Sequence, residues 1–278
     1  MLKAAYLGPR GTFSEEACRA FCRVTGLILA PSPCASITAC AVSVAEGNAR
    51  FAIVPLENSL EGSVRDTLDL LTTSSRLKIL AELDLEIEHH LLTHAAALTE
   101  IQTVYSHPQA LAQCRAFLHQ QLAHAQVIPV VSTAEAACLA ADLGSQAAAI
   151  AGQQAASCYS LPILYAAVQD TTSITRFIIL GREDENFGQP QKTSLLFAVN
   201  NTPGDLYRVL RAFANQQVNL TRIESRPARS RLGDYIFFVD LDGTPQDKAV
   251  KAALDEASQE TVMLKILGSF PVLTVSDK

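Results

Sequence analysis

A chain of 278 residues, 49% hydrophobic and 18% charged, is long enough for two domains and too apolar to be disordered. Its net charge of -6 excludes a general attraction to nucleic acid or anionic lipid, so an anionic small molecule must be held by a few placed groups. The first residues, MLKAAYLGPRGTF, lack the apolar core of a signal peptide, and no apolar run is long enough to span a bilayer; a cytoplasmic protein is expected rather than a periplasmic carrier. Seven cysteines without a C-x-x-C pair speak against a disulfide framework and a zinc site; Cys18 and Cys22, four apart on a helix face, read as small buried hydrophobes.

Residues 3–7 are expected to form a first strand, and Gly8-Pro9-Arg10-Gly11 turns it into a helix whose start carries Thr12 with Glu15 three residues on. Free backbone N–H groups beside the hydroxyls of Thr12 and Ser14 at a strand's carboxyl end suit a carboxylate or oxyanion, although the same pattern also serves merely to cap a helix. A strand at 27–30, a helix over 36–46 and a strand at 51–54 continue an α/β pattern. Glu57, Asn58 and Ser59 lie just beyond that strand, and a helix begins near Ser63 with Val64, Leu68 and Leu71 on one face.

Residues 77–87 alternate, with Leu77, Ile79, Ala81, Leu83, Leu85 and Ile87 on one side and Lys78, Glu82, Asp84 and Glu86 on the other, as a half-exposed strand crossing between two lobes would. Strands at 89–93 and 102–105 lead to a helix over 108–122 with Pro108 in its first turn, which sets Ser106 and His107 at its N-terminus. There the histidine is either a proton carrier or a structural ring. A strand at 127–131 and a helix from the Ser132/Glu135 cap to 143 follow, and a strand at 147–151 with a helix through Tyr159 returns the chain to the first lobe. The run TTSITRFIILG, residues 171–181, then closes the first. Its small hydroxyls and single arginine precede a buried strand, so Thr175 and Arg176 can face the cleft between two lobes.

Residues 182–192, REDENFGQPQK, have linker composition. Beyond them come a strand at 193–199, a helix opened by Thr202-Pro203-Gly204-Asp205 with Leu206, Val209, Leu210 and Phe213 on its apolar face, and strands at 218–225 and 234–241. Thr244-Pro245-Gln246-Asp247 repeats the helix-start signal ahead of Val250, Ala253, Leu254 and Ala257, and a last strand covers 263–270. The pattern is βαββαβ, a ferredoxin-like unit of two similar halves.

Five ordered segments, YLGPRGTFS (6–14), VPLENS (54–59), SHPQAL (106–111), Thr175-Arg176-Phe177 and Glu224-Ser225-Arg226-Pro227, resemble the prephenate dehydratase family over nearly the whole chain. The resemblance implies an α/β protein with a bilobed, type II periplasmic-binding-protein-like catalytic domain over 1–181, whose second lobe is about 83–157, a linker at 182–192, and a ferredoxin-like ACT regulatory domain over 193–278. The implied reaction is the decarboxylative dehydration of prephenate to phenylpyruvate, water and CO2 in L-phenylalanine biosynthesis, by a carbon–oxygen lyase that needs no metal or other cofactor. Without room for a chorismate mutase bundle before Lys3, a monofunctional enzyme is expected.

The family pattern carries the catalytic role to Thr175, which would orient the departing hydroxyl. A threonine is too weak an acid to protonate it alone, so Glu57 or His107 is expected to relay the proton. Arg176, Asn58, Ser59, Ser106 and Gln109 are the expected carboxylate grip, Thr12 joins them, Phe177 supplies an apolar wall, and Ser173 stands where relatives often carry asparagine. In the ACT domain, Gly204, Asp205 and Leu206, with Asn219, Leu220, Glu224, Ser225, Arg226 and Pro227, are expected to hold L-phenylalanine between paired domains of a homodimer or homotetramer. Asp205 departs from the family's Gly-Ala-Leu. Two other readings stay open: arogenate as the substrate, and a non-catalytic amino-acid sensor, against which the retained Thr175-Arg176-Phe177 and the lack of a basic output domain argue.

Overall fold

A computed structural model describes residues 2–74, 76–182, 185–228 and 234–275; Glu183 and Asp184 of the expected linker lie outside them. The chain divides into two compact units, one holding the residues up to Leu68 with Asp84–Phe177, the other Asp69–Leu83 with Ile178–Thr274.

Strand β1 (Lys3–Leu7) leads through the Gly8–Gly11 turn into helix α1 (Phe13–Thr25), which starts on an extended Thr12 and ends at Gly26, whose φ of 69° suits glycine. Next come β2 (Ala30–Cys34), α2 (Ile37–Ala45), β3 (Phe51–Asn58), β4 (Gly62–Ser63), α3 (Arg65–Thr73) and β5 (Lys78–Ile87). The expected strand at 27–30 is displaced to β2 despite Pro31 and Pro33. β2 is an outer strand, and since Ala30 N–H donates to the Leu2 carbonyl, the two proline nitrogens face away from β1 and no ladder bond is lost. The third helix starts later than Ser63 because Ser63 pairs with Glu57 across β3 and β4. In the first unit β1 runs parallel to both β2 and β3.

The second sheet of that unit uses β6 (His90–Thr93), β7 (Thr103–Ser106), β8 (Gln126–Pro129), β9 (Ala147–Ala151) and β10 (Ile163–Tyr165), in the order β10-β6-β9-β7-β8. Helices α4 (Pro108–Gln113), α5 (Arg115–Gln121), α6 (Thr133–Leu143) and α7 (Gln153–Tyr159) accompany it, and β11 (Ser173–Gly181) follows. β9 is wholly buried, and the alanines of α6 (Ala136, Ala137, Ala140) pack against it without side chains to hold the helix off. The helix expected over 108–122 breaks at Cys114. Asp170 causes the break from a distance: its N–H donates to the Gln113 carbonyl at 2.7 Å and its carboxylate accepts the Ala116 N–H at 3.0 Å.

The second unit contains β12 (Lys192–Ala198), α8 (Asp205–Asn215), β13 (Leu220–Pro227), β14 (Tyr235–Asp242), α9 (Lys248–Gln259), β15 (Met263–Phe270) and β16 (Val272–Thr274). Four of them form an antiparallel sheet ordered β13-β14-β12-β15, and α8 and α9 cover one face through Leu195, Phe197, Val209, Phe213, Val239 and Leu254. This is the expected βαββαβ module. Its helices start later than the Thr-Pro signals because Asp205 and Asp247 fold their carboxylates back onto the N–H and hydroxyl of Thr202 and Thr244, making the same turn twice. Register shifts at Thr221, so Arg222, Glu224 and Arg226 stand opposite Asp240, Phe238 and Ile236, on the sheet face away from the helices.

The unit also takes in the second half of α3 and the first half of β5. Glu82, expected on the solvent side of that strand, is instead buried, with Lys192 Nζ at 2.6 Å. A β-carbon on Gly268 would lie 2.1 Å from the Ile79 carbonyl oxygen, so only glycine lets β15 come this close.

Candidate active site

A cavity of about 500 Å³ lies within the first unit, where the starts of three helices converge: Thr12, Phe13 and Ser14 of α1, His107, Gln109 and Ala110 of α4, and Val131, Ser132 and Thr133 of α6. The ends of β3 and β11 add Asn58, Thr175 and Phe177, and no lysine, arginine, aspartate or glutamate is among its described lining residues. Backbone N–H groups at these helix starts supply the positive potential that side chains do not. Sheet geometry explains the placement: strands end here, so the helices that follow begin here.

Thr175 is nearly buried, and its Oγ1 accepts from Asn58 Nδ2 at 2.9 Å. Asn58 is itself oriented, because its Oδ1 accepts the N–H groups of Leu60 and Glu61 at 3.0 and 3.1 Å. With its oxygen engaged in this way, the Thr175 hydroxyl is left with its hydrogen to donate. His107 Nδ1 accepts the Gln109 N–H at 3.3 Å, which puts the proton of the neutral ring on Nε2.

Six of the eleven expected site residues therefore share the cavity: Thr12, Asn58, His107, Gln109, Thr175 and Phe177. Five do not line it. Arg176 follows Thr175 on one strand, and alternation sends it to the opposite face, where it pairs with Glu57 at 3.3 Å and Asp84 at 4.0 Å. Glu57 thus leaves with it. Ser59 exchanges hydrogen bonds with Ile174, its N–H donating to the carbonyl and its Oγ accepting the amide, which fixes β11 beside the end of β3. Ser106 is fully buried with its hydroxyl donating to the Ile150 carbonyl at 2.6 Å, and Ser173 is buried away from the cavity lining.

The sequence reading missed His89, Gln113, Ser132 and Thr133 as lining residues. Only the Ser132 cap carried a signal. It also missed the role of the Glu15 carboxylate, which does not close a capping box on Thr12 but sits under the turn, accepting from the Gly11 N–H at 2.8 Å, the Tyr6 hydroxyl at 3.1 Å and Arg19 at 2.7 Å. Burial pushes its pKa up, but the Gly11 amide and Arg19 outweigh that and hold it below the ordinary value, while the Tyr6 hydroxyl is pushed up by burial and by Glu15.

The expected effector residues occupy two places in the second unit. Gly204, Asp205 and Leu206 open α8, and Asp205 is spent on Thr202 and Arg208. Asn219 donates to Asp242 at 2.8 Å and Leu220 packs in the helix-side core. Glu224 and Arg226 project from the other face, Glu224 pairing with Arg222 at 2.7 Å and Arg226 with Asp69 of α3 at 3.3 Å; Ser225 and Pro227 are exposed between and beyond them. In a single chain they do not converge.

A cavity whose described lining carries no charged side chain, set where three helices start in a chain that continues into a βαββαβ module, fits a small-molecule enzyme with an appended regulatory domain. Residues 4–185 match the prephenate dehydratase family and residues 193–259 the ACT domain. The chain belongs to the prephenate dehydratase family: it is a carbon–oxygen lyase with an ACT domain. The prephenate dehydratase of Methanocaldococcus jannaschii is 37% identical, the match covering 96% of this chain and 97% of that one. The crystal structure of prephenate dehydratase from Arthrobacter aurescens in complex with L-Phe superposes with a TM-score of 0.87 at 33% identity, over 97% of this chain and 90% of that one. GqqA, described as a novel type of quorum quenching acylase, also superposes with a TM-score of 0.87, at 32% identity and 97% coverage of both chains. Among the described residues no helix is long and apolar enough to cross a membrane, and no three His, Cys, Asp or Glu side chains are grouped to hold a metal ion.

Proposed function

We propose that Thr175 drives the dehydration of prephenate from within this cavity by donating a hydrogen bond to the departing ring hydroxyl. The observation that carries the reading is the Asn58–Thr175 bond, which orients that hydroxyl and keeps its hydrogen available to donate. As the C–O bond breaks, the electron pair leaves with the oxygen, and the pair of the ring–carboxylate bond enters the ring as CO2 departs. One proton completes the water. A histidine can take a proton from solvent and pass it on, and His107 lines the cavity, so it is the proposed relay; Glu57, turned away with Arg176, is not.

The absence of cations among the described lining residues fits decarboxylation. A guanidinium on the ring carboxylate would hold the charge that must vanish, whereas helix-start amides grip the pyruvyl carboxylate and leave the ring end apolar against Phe177. The same reading places the catalytic domain at 1–181, the linker at 182–192 and the ACT domain at 193–278, with the chain acting in the cytoplasm as a homodimer or homotetramer. L-Phenylalanine, held in the related Arthrobacter aurescens structure, is the proposed feedback effector.

The test is phenylpyruvate formation from prephenate by the purified protein, with arogenate and an acylase assay in parallel and phenylalanine titrated into each. Turnover of prephenate suppressed by phenylalanine is the expected result. Faster turnover of arogenate would move the substrate assignment, and phenylalanine binding without turnover would make the chain a sensor.

A further inference from the structure

Arg176 is the chain neighbour of Thr175, and Glu57 that of Asn58, so two residue pairs stand back to back across β11 and the end of β3. On the cavity face Asn58 Nδ2 donates to Thr175 Oγ1 at 2.9 Å; on the opposite face Arg176 meets Glu57 at 3.3 Å. One residue further on, the ladder gives out. β3 ends at Asn58, and the Ile174 N–H is accepted by Ser59 Oγ at 3.0 Å instead of by a backbone carbonyl. Thr175 thus lies near the end of a strand pair, where local opening costs least and side chains must hold the register. Asp84 of β5, the neighbour of β11 on its other side, brings a carboxylate 4.0 Å from Arg176 Nε. The guanidinium therefore stands between carboxylates from both strands that flank its own.

We infer that Arg176 is a positioning residue: by tying β11 to Glu57 and Asp84 from behind, it fixes the register at which Asn58 orients the Thr175 hydroxyl. Neighbours on a strand move together, so a slip or twist that loosens Arg176 displaces Thr175, and about 1 Å is enough to cost on the order of 10²-fold in rate. Its effect is local. With 23% of the Arg176 side chain and 33% of the Glu57 side chain exposed, the pair adds little to global stability. The arrangement also keeps the cation off the substrate: Arg176 aligns the hydroxyl without lining the cavity, where a positive charge would hold the carboxylate that must leave as CO2. This inference rests on the dehydratase reading and on the donor role of Thr175.

Kinetics and NMR test it together. Arg176→Gln is expected to lower kcat for prephenate at least about tenfold, with KM within about threefold and Tm within about 2 °C of wild type. Arg176→Lys, which keeps the charge, should recover about threefold of the loss. Glu57→Gln should lower kcat in the same way, and the double variant Glu57→Gln with Arg176→Gln should be no slower than Arg176→Gln alone, because the pair acts as a unit. In the ligand-free protein, NMR of the Asn58 side-chain amide reads the position of Thr175 without any turnover. Its exchange with water should quicken at least about fivefold in Arg176→Gln. An unchanged Asn58 amide, a rise in KM at constant kcat, or additive losses in the double variant would overturn the inference; should Arg176→Gln fail to fold, Glu57→Gln gives the same readings. A wild type that does not turn over prephenate, with the Asn58 amide responding as expected, would sink the dehydratase reading and leave the positioning role standing.

Discussion

The two proposed ligand sites of this protein are built on opposite electrostatic plans. The cavity of the first unit has no charged lining side chain among the described residues, whereas the face of the ACT sheet turned away from its helices carries Arg222, Glu224, Arg226 and Asp240, with the Lys192–Glu82 pair nearby. The contrast follows from what each must do. A catalyst of decarboxylation has to let a charge disappear, so fixed neutral dipoles serve better than a salt bridge that stabilises the ground state. A regulatory surface must respond to a ligand, and charge pairs that can exchange partners are suited to that.

The largest break in this comparison is at Thr175. Replacement by Ala is expected to lower kcat by about 10² to 10⁴ while leaving prephenate binding and Tm nearly unchanged, and Thr175→Ser to restore much of the rate. Single-turnover kinetics with a binding isotherm check it; near-normal turnover by Thr175→Ala would remove the hydroxyl from the mechanism.

Next in size is the buried pair of Glu82 and Lys192. Lys192→Met removes the cation 2.6 Å from a carboxylate that is only 1% exposed and should cost about 3 kcal/mol in denaturant unfolding, whereas Glu82→Leu combined with Lys192→Met should recover most of that. Recovery would show that the charges of this unit are not there for stability alone. An equal loss in the double variant would show the reverse.

A smaller effect is expected at Arg226. Its bond to Asp69 is 3.3 Å long and partly exposed, so Arg226→Ala should cost no more than about 1 kcal/mol of stability. It should raise the phenylalanine concentration needed for inhibition while basal kcat stays unchanged. Unaltered inhibition in Arg226→Ala and in Asp69→Asn would take this face out of regulation.

Much of this plan was legible in the chain, and the failures have definite causes. The α/β alternation and the two Thr-Pro-x-Asp helix starts followed from periodicity and capping, and the placement of Thr12, Asn58, His107 and Thr175 followed from strands ending in polar turns. Thr175 and Arg176 show a rule left unapplied, since neighbours on a strand cannot share a face. Ser106 shows one that sequence cannot supply: a hydroxyl at a helix start is indistinguishable from one bonded inward to Ile150. The break at Cys114, imposed by Asp170, the shifted register at Thr221 and the meeting of His89 with Gln113 all depend on residues brought together only by tertiary structure.

The smallest expected effect sharpens the comparison from the catalytic side, because the first unit does contain a buried charge, placed behind the cavity rather than in it. Glu15 holds the Gly11 amide and Arg19, and its folded pKa lies below the unfolded value of 4.5. A carboxyl whose pKa is depressed on folding contributes stability that is fully present above the unfolded pKa and is lost as pH falls through the folded one. Urea unfolding of the wild type between about pH 3 and 6 should therefore show stability falling below pH 4.5, and Glu15→Gln should flatten that limb. Because Glu15 supports the turn that carries Thr12 and Phe13 into the cavity, the same substitution should raise KM more than it lowers kcat. An unchanged acid limb would mean that Arg19 and the Gly11 amide stabilise the neutral carboxyl as well as the charged one, and that the turn is held by its backbone alone.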